Sequence, residues 1–283
     1  MDPGRVTAEP ISLCTIGDLI LDVVVLPGVA LAPDADTRAT ISLAAGGQAA
    51  NVAAWASVLG ASSRLICKRG DDPASQLAAA QLARHGVEIC GPVVSGRGGV
   101  VVSMGDGRGE RTMASDRGVA SLLDPCELDP AWVYSCDVLH VSGYCLLGEP
   151  MAQAAIEAAR LAPRVTVDLA SAHDIELAGA GKFAARLSAL GPDLVFATEA
   201  ERAAVPGFDA TWVIKLGARG ARFPEGLYAA PPVDVVDTTG AGDALAAGYL
   251  VGGPECAIGA AARSVQVIGA MPSAERYDRA GPG

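Results

Sequence analysis

Short apolar runs and Ala-rich helical stretches alternate along most of the chain. Residues 11–17 and 19–26 are rich in Ile, Leu and Val and predict strands, and 37–43 predicts a third that ends at Gly46-Gly47. Small apolar residues over 48–59, closed by Gly60, predict a helix, with a strand over 64–68 after it. A helix over 72–84 follows; Asp71 and Asp72 stand where its N-cap belongs, and Pro73 falls in its first turn. The texture then changes: 87–94, 99–104 and 110–114 are short strand-like runs punctuated by Gly, as in hairpins. Strand and helix alternate again over 138–141, 150–161, 165–168, 182–190, 194–196, 199–204 and 212–216. Two helical stretches, 241–251 and 254–268, precede a polar tail from 273.

Strands that alternate with helices imply right-handed crossovers and a mostly parallel sheet with helices on both faces. The Gly-rich strands at about 19–44 and 95–118 have no crossover helices of their own, so a small β-sheet projecting from that core is expected. With no internal repeat or low-complexity linker, residues 1–283 read as a single α/β domain carrying this inserted sheet.

Composition narrows the function classes. Hydrophobic residues are 51% and charged residues 19%, the balance of a folded globule, while aromatics at 4% leave the core to Ala, Val, Leu and Ile. The net charge of −11 argues against a nucleic-acid partner, which calls for a basic face, but leaves room for small anions. Seven cysteines, odd in number and without C-x-x-C spacing, point away from a disulfide framework or zinc site and towards a reducing cytosol. The apolar run over 11–26 is broken by Asp18 and Asp22 and lacks a basic leader, and no other uncharged apolar run reaches eighteen residues. A cytoplasmic protein with no membrane partner is the expectation.

The strongest chemical signal is Val236-Asp237-Thr238-Thr239-Gly240-Ala241-Gly242-Asp243-Ala244. A strand-like approach over 233–236 enters a Gly-rich turn that opens a helix, where free N–H groups and the dipole's positive end suit a phosphate. Asp243 could simply complement that dipole, but it also stands where a base would accept the proton of a hydroxyl attacking a phosphoryl group. A dinucleotide fingerprint fails because position 245 is Leu and no βαβ unit follows, and no Walker A loop is present. Asp168 ends a predicted parallel strand, where sites gather in open α/β sheets, and is a secondary candidate. His85, His140 and His173 have no metal-ligand spacing and read as structural. Arg108, Arg111 and Arg117 read as solvated charges of the small sheet, though one could reach a polyhydroxyl or anionic substrate.

Asp237-Thr-Thr-Gly-Ala-Gly-Asp243 resembles the C-terminal signature of the ribokinase-like (PfkB) carbohydrate kinases. Ala45-Gly46-Gly47-Gln48-Ala49-Ala50-Asn51-Val52-Ala53 resembles their N-terminal signature, in the same order and at matching separation. Weaker likenesses fall between, at Ile16-Gly17-Asp18 through Asp22, His140-Val-Ser-Gly143 and Val213-Ile-Lys-Leu-Gly217-Ala-Arg-Gly220, so the resemblance spans about 11–270. It implies a three-layer α/β/α sandwich with a small β lid and a kinase using ATP and Mg2+ on a sugar hydroxyl. Asp243 would be the base, with the N–H groups around Gly240, Ala241 and Gly242 as the anion hole. Asp22, Gly46, Gly47 and Asn51 would hold the sugar. Lys215, Gly217, Gly220, Thr238 and Thr239 would line the nucleotide, and Glu201 would organise Mg2+ through water. Asp237, with Thr239, matches part of a monovalent-cation (K+) site of some relatives, and relatives often form homodimers through the lid.

The chain departs from the pattern in three places. Thr198-Glu199-Ala200-Glu201 has Thr where the family's Asn-x-x-Glu motif has Asn, Ile20 stands near a polar sugar contact of ribokinase, and the segment 201–215 is short. A more open nucleotide side is expected. Two alternatives stay open: a nucleoside kinase, for which Ile20, Met104 and Met113 would admit a base, and a binding protein on the same fold that has lost turnover.

Overall fold

The computed structural model describes residues 10–31, 34–105, 111–169 and 171–273. Arg108, Glu110, the side chain of Arg111 and the end of the polar tail lie outside the described residues. In chain order the strands are β1 (Ser12–Ile16), β2 (Ile20–Pro27), β3 (Ala39–Gly46), β4 (Ser62–Ile66), β5 (Arg69–Gly70), β6 (Glu88–Cys90), β7 (Val93–Val94), β8 (Gly99–Gly105) and β9 (Arg111–Asp116). There follow β10 (Val138–Ser142), β11 (Val165–Asp168), β12 (Leu194–Thr198), β13 (Trp212–Lys215), β14 (Ala221–Phe223) and β15 (Gly226–Tyr228). The helices are α1 (Gln48–Val58), α2 (Pro73–Arg84), α3 (Ala131–Tyr134), α4 (Met151–Ala159), α5 (Ala172–Ala178), α6 (Ala180–Leu190), α7 (Glu199–Ala203) and α8 (Ala241–Ser264).

A nine-stranded sheet runs β6-β4-β1-β10-β11-β12-β13-β14-β15. It is parallel from β6 to β13 and antiparallel at β14 and β15. Because helices cover both faces, its central strands are apolar almost throughout, and β10 and β11 are buried at every position. Side chains alternate between two cores. Leu13, Val138, Phe196 and Val213 pack with Val52 and Trp55 of α1 and Leu245 of α8. Ile16, Leu139, Val141 and Val195 pack on the other face with Met151 and Ile156 of α4 and Phe183 and Leu187 of α6. The layering is the three-layer α/β/α arrangement expected.

Apart from this core stands a four-stranded sheet in the order β3-β2-β8-β9. Each Gly-rich segment forms an antiparallel pair, β2 with β3 and β8 with β9, and the parallel pairing of β2 with β8 joins them in one sheet. The predicted strand over 87–94 is in fact two. Pro92 has no N–H to give and interrupts the ladder, so β6 pairs with β4 while β7 pairs with β5 in a separate ribbon. The approach over 233–236 is not a strand. Val235 and Val236 are exposed, and the N–H groups of Val236 and Asp237 donate to the Val265 carbonyl at 2.7 and 3.1 Å, tying the loop to the end of α8 instead of a sheet edge.

Asp72 caps α2, accepting from Ser75 N at 3.1 Å, with Pro73 first in the helix. The two predicted C-terminal helices meet at non-helical Gly252 and Gly253, just before Pro254. The combined α8 is 24 residues long and apolar enough to cross a membrane by length and composition. Its Ala244, Leu245, Ala246, Ala247, Ala257 and Ala260 nevertheless belong to the core shared with α1. α5 and the β14–β15 hairpin went unforeseen because seven residues and three-residue strands are too short to show periodicity.

Candidate active site

The carboxyl ends of β10 to β13 and the N-termini of α1 and α8 converge on one region. The strand period of two puts Ser142, Asp168, Thr198 and Lys215 on the face that α1 and α8 cover. Ser142 is opposite Asp168, and Thr198 opposite Lys215, across neighbouring strands. Gln48, first in α1, locks this edge: its Oε1 accepts from Ser142 Oγ at 2.7 Å and from Gly143 N at 3.1 Å.

α8 starts without a side-chain cap. Gly240 holds φ +76°, and a Cβ there would come within 2.6 Å of Ala270 Cα, so the turn accepts only Gly without rearrangement. Ala241 N donates to the Thr238 carbonyl at 3.4 Å, while the N–H groups of Gly242 and Asp243 fall in the first turn, where a helix has no carbonyl of its own to offer them. Asp243 Oδ2 accepts from Asn51 Nδ2 at 2.7 Å, a contact between α8 and α1. Burial pushes the Asp243 carboxyl up to about 7; Asn51 and Lys215 oppose the rise, and Asp22 and Asp18 add to it. A carboxylate so placed is a base matched to neutral pH.

Asp22 on β2 faces the same space. Its carboxylate lies against Gly46, where any Cβ would overlap it. Burial and the neighbouring Asp18 carboxylate push Asp22 up to about 7. Gly47 is the N-cap position of α1, beside the Asp18 backbone carbonyl. Asn51 Oδ1 and Asp18 Oδ1 are buried without a hydrogen-bond partner, close to the part-exposed Asp22 and Asp243 carboxylates that border the hollow between β2, α1 and α8. The structure thus brings Asp22, Gly46, Gly47, Asn51 and Asp243 together. Ile20 is 6% exposed and packs against Gly99, so it does not line this hollow as an open apolar wall. Met113 is 64% exposed on β9.

On the far side of α8's start, Lys215 Nζ bonds Asp168 Oδ1 at 2.5 Å and lies 3.8 Å from Glu201 Oε2. Burial pulls the Lys215 ammonium down, but Asp168 and Glu201 outweigh it and hold it above its usual value. Burial drives Asp168 upward against the pull of Lys215. Glu201 closes a capping box with Thr198: Glu201 N donates to Thr198 Oγ1 at 3.2 Å and Thr198 N to Glu201 Oε2 at 2.8 Å. Gly217 and Gly220 bracket the turn between β13 and β14. Thr238 and Thr239 lie in the loop entering α8, and Asp237 clamps that loop, accepting from Thr239 N at 2.6 Å and Gly269 N at 2.8 Å. The short 201–215 segment carries α7 and an irregular turn. A cavity of about 510 Å3 opens there, lined by Arg202, Val205, Phe208 and Trp212 among others, none of them matched to acceptor or phosphate positions.

A family profile described as pfkB family carbohydrate kinase matches residues 11–255. The chain belongs to this family. An ATP-dependent ribose-1-phosphate kinase of Halopiger xanaduensis is 33% identical over 237 residues, 77% of each chain. An adenosine kinase from Sinorhizobium meliloti shares the fold with a TM-score of 0.80 at 24% identity, covering 93% of this chain and 96% of that one. A structure from E. coli named for ribokinase II, holding ATP and Mg2+, has a TM-score of 0.80 at 19% identity over 92% of this chain and 94% of that one. The fold is ribokinase-like, and the activity is phosphoryl transfer to an alcohol group.

Two pairings in this pfkB kinase are not spelled out by the sequence, although Arg117, Lys215 and Asp168 each stood out in it. Arg117, which follows β9, pairs with the buried Asp18 and lies 4.0 Å over the Tyr144 ring, tying the four-stranded sheet to the floor of the hollow. The second is the Lys215–Asp168 pair, whose members are 47 residues apart; only the end-of-strand position of each hinted at it. Among the described residues of the kinase, no group of three or more His, Cys, Asp or Glu side chains is arranged to hold a metal ion.

Proposed function

We propose that the protein transfers the γ-phosphoryl group of ATP to a hydroxyl of a small sugar or sugar-like acceptor, with Asp243 as base. The observation that carries this reading is Asp243 itself: a half-buried carboxylate at the N-terminus of α8, which has no side-chain cap, aimed by Asn51 and raised to about 7. The acceptor hydroxyl lies between Asp243 and the donor's γ-phosphorus. As the acceptor O–P bond forms and the bond to ADP breaks, the hydroxyl proton passes to Asp243 Oδ. The N–H groups of Ala241 and Gly242 take the charge of the transferring oxygens. Asp22 and Asn51 Oδ1 accept from the acceptor's remaining hydroxyls, which fixes the attack geometry. Glu201 would hold Mg2+ through water, and the metal would supply positive charge at the donor phosphates. The four-stranded sheet acts as a lid, excluding water that would compete as acceptor.

The acceptor side favours a polyhydroxyl ring over a base. Its unpaired atoms are carboxylate and amide oxygens, and Ile20 is spent on packing under Gly99. The named relative adds a sugar 1-phosphate to the candidates. The test is ADP release with ATP and Mg2+, with and without K+, against pentoses, hexoses, their 1-phosphates, sugar acids and nucleosides. ADP formed with a sugar or sugar phosphate supports the reading. Nucleoside-dependent ADP overturns the sugar assignment, and acceptor binding without ADP overturns turnover.

A further inference from the structure

β3 is the outer strand of the four-stranded sheet and has a strand, β2, on one side only. The backbone groups on its other side are those of a sheet edge. Two of them, the Leu43 carbonyl and the Ala45 N–H, are taken by a single side chain. Gln81 of α2 accepts from Ala45 N through Oε1 at 2.5 Å and donates from Nε2 to the Leu43 carbonyl at 3.2 Å. A parallel strand would make the same two contacts: one residue's N–H and C=O would bridge the C=O and N–H that flank position 44. The Gln81 amide thus stands in for one residue of a further strand, at one point of the edge.

That point adjoins the acceptor side. α2 lies against the base of the sheet, where its Ala78 and Leu82 pack with Leu21 and Ala45. Apolar contact of this kind is non-directional and does not fix how far β3 slides along the helix. The two hydrogen bonds do. Directly after Ala45 come Gly46, against the Asp22 carboxylate, and Gly47, the N-cap of α1 beside the Asp18 carbonyl. A Cβ at either glycine would overlap those neighbours, so the turn has little slack. A shift of 43–45 therefore passes on to Asp22 and, through the start of α1, to Asn51. Gln81 is half-buried, and its hydrogen bonds go to β3 and to none of the acceptor-facing groups.

We propose that Gln81 is a positioning residue for the acceptor: its amide clips β3 to α2 and so sets the placement of the Gly46-Gly47 turn against Asp22 and Asn51. The acceptor role of that turn rests on the kinase reading. The clip itself rests on the two hydrogen bonds alone.

The test compares the full-length wild type with Gln81→Met and Gln81→Glu. Met has about the length of Gln without its polar atoms. Glu keeps an acceptor for Ala45 N, while the Leu43 carbonyl, on the exposed side of the contact, turns to water. Hydrogen exchange at Ala45 N, binding of the best acceptor and of a non-hydrolysable ATP analogue by calorimetry, and KM and kcat are read for each. Gln81→Met should speed exchange at Ala45 N and raise the acceptor's Kd and KM about three- to tenfold, the worth of one lost hydrogen bond. The KM for ATP should stay as in wild type, and Gln81→Glu should fall between the two. A folded Gln81→Met with wild-type acceptor Kd and KM overturns the proposal. An equal rise for acceptor and ATP also overturns it, because that marks a general loosening. If Gln81→Met does not fold, Gln81→Glu carries the same comparison. If the wild type binds a sugar but forms no ADP, the kinase reading fails; weaker sugar binding by Gln81→Met then still supports the clip, and unchanged binding overturns it.

Discussion

The proposed mechanism rests on one carboxyl group, that of Asp243, and its surroundings decide what the group can do. An ordinary Asp is ionised throughout the neutral range. Here burial raises the group to about 7, so below that pH the base carries its proton and cannot take another. Activity should therefore rise as pH increases, about tenfold per unit on the acid side, and level off above about 8. Asp22 is raised to about 7 as well and repels Asp243, so the midpoint belongs to the cluster and not to one residue. A flat kcat/KM between pH 5 and 9 would contradict the assignment. Asp243→Asn should lower kcat by about 10²–10⁴-fold with ATP affinity kept. The same variant should melt higher than wild type at pH 8, because a folded-state pKa above the unfolded one penalises the native carboxylate as pH rises through about 7. That gap in Tm should narrow as pH falls from about 7 and close near pH 4, the ordinary value of the unfolded carboxyl, and a gap independent of pH would count against the raised carboxyl. Asp243 was legible from the sequence because a Gly-rich turn opening a helix is a contiguous pattern. Its raised pKa was not, since burial and the approach of Asp18 and Asp22 have no trace in the residues beside it.

At the scale of elements, helix starts were the most readable feature and short elements the least. Asp72-Pro73 announced α2 through capping chemistry, and Gly46-Gly47 announced α1. α5 carried a cap, Ser171 accepting from Asp174 N at 3.4 Å, but its seven residues include a single buried side chain, Ile175, too little for a period to show. The start of α8 makes a sharper prediction. Gly240→Ala would place a non-Gly residue at φ +76° and drive its Cβ into Ala270, so the turn or the 265–270 segment must shift. A loss of about 1–3 kcal/mol in urea denaturation is expected, together with weaker ATP binding if the N–H groups of that turn meet the phosphates as proposed. An Ala variant as stable as wild type would show that the turn tolerates a side chain.

In the molecule as a whole, the four-stranded sheet and the large sheet are joined across the hollow by Arg117 and Asp18. Arg117→Ala would strand a carboxylate that is 5% exposed, and with the arginine itself 28% exposed the cost is discounted to about 2 kcal/mol. A lower Tm and a raised acceptor KM are expected with the KM for ATP unchanged; a change in the ATP KM alone would place Arg117 on the wrong side of the reaction. Alternation of strand and helix, the two Gly-rich signatures and the residues that carry them were readable from the chain, because periodicity, capping and turn chemistry operate within windows of a dozen residues. Strand order, the parallel β2–β8 pairing and the departure of 233–236 from any sheet were decided only by the packed molecule. So were the bonds from Asn51 to Asp243, Arg117 to Asp18 and Lys215 to Asp168, which span 192, 99 and 47 residues. Such contacts draw their energy from burial shared between distant segments, and no local stretch of sequence carries that information.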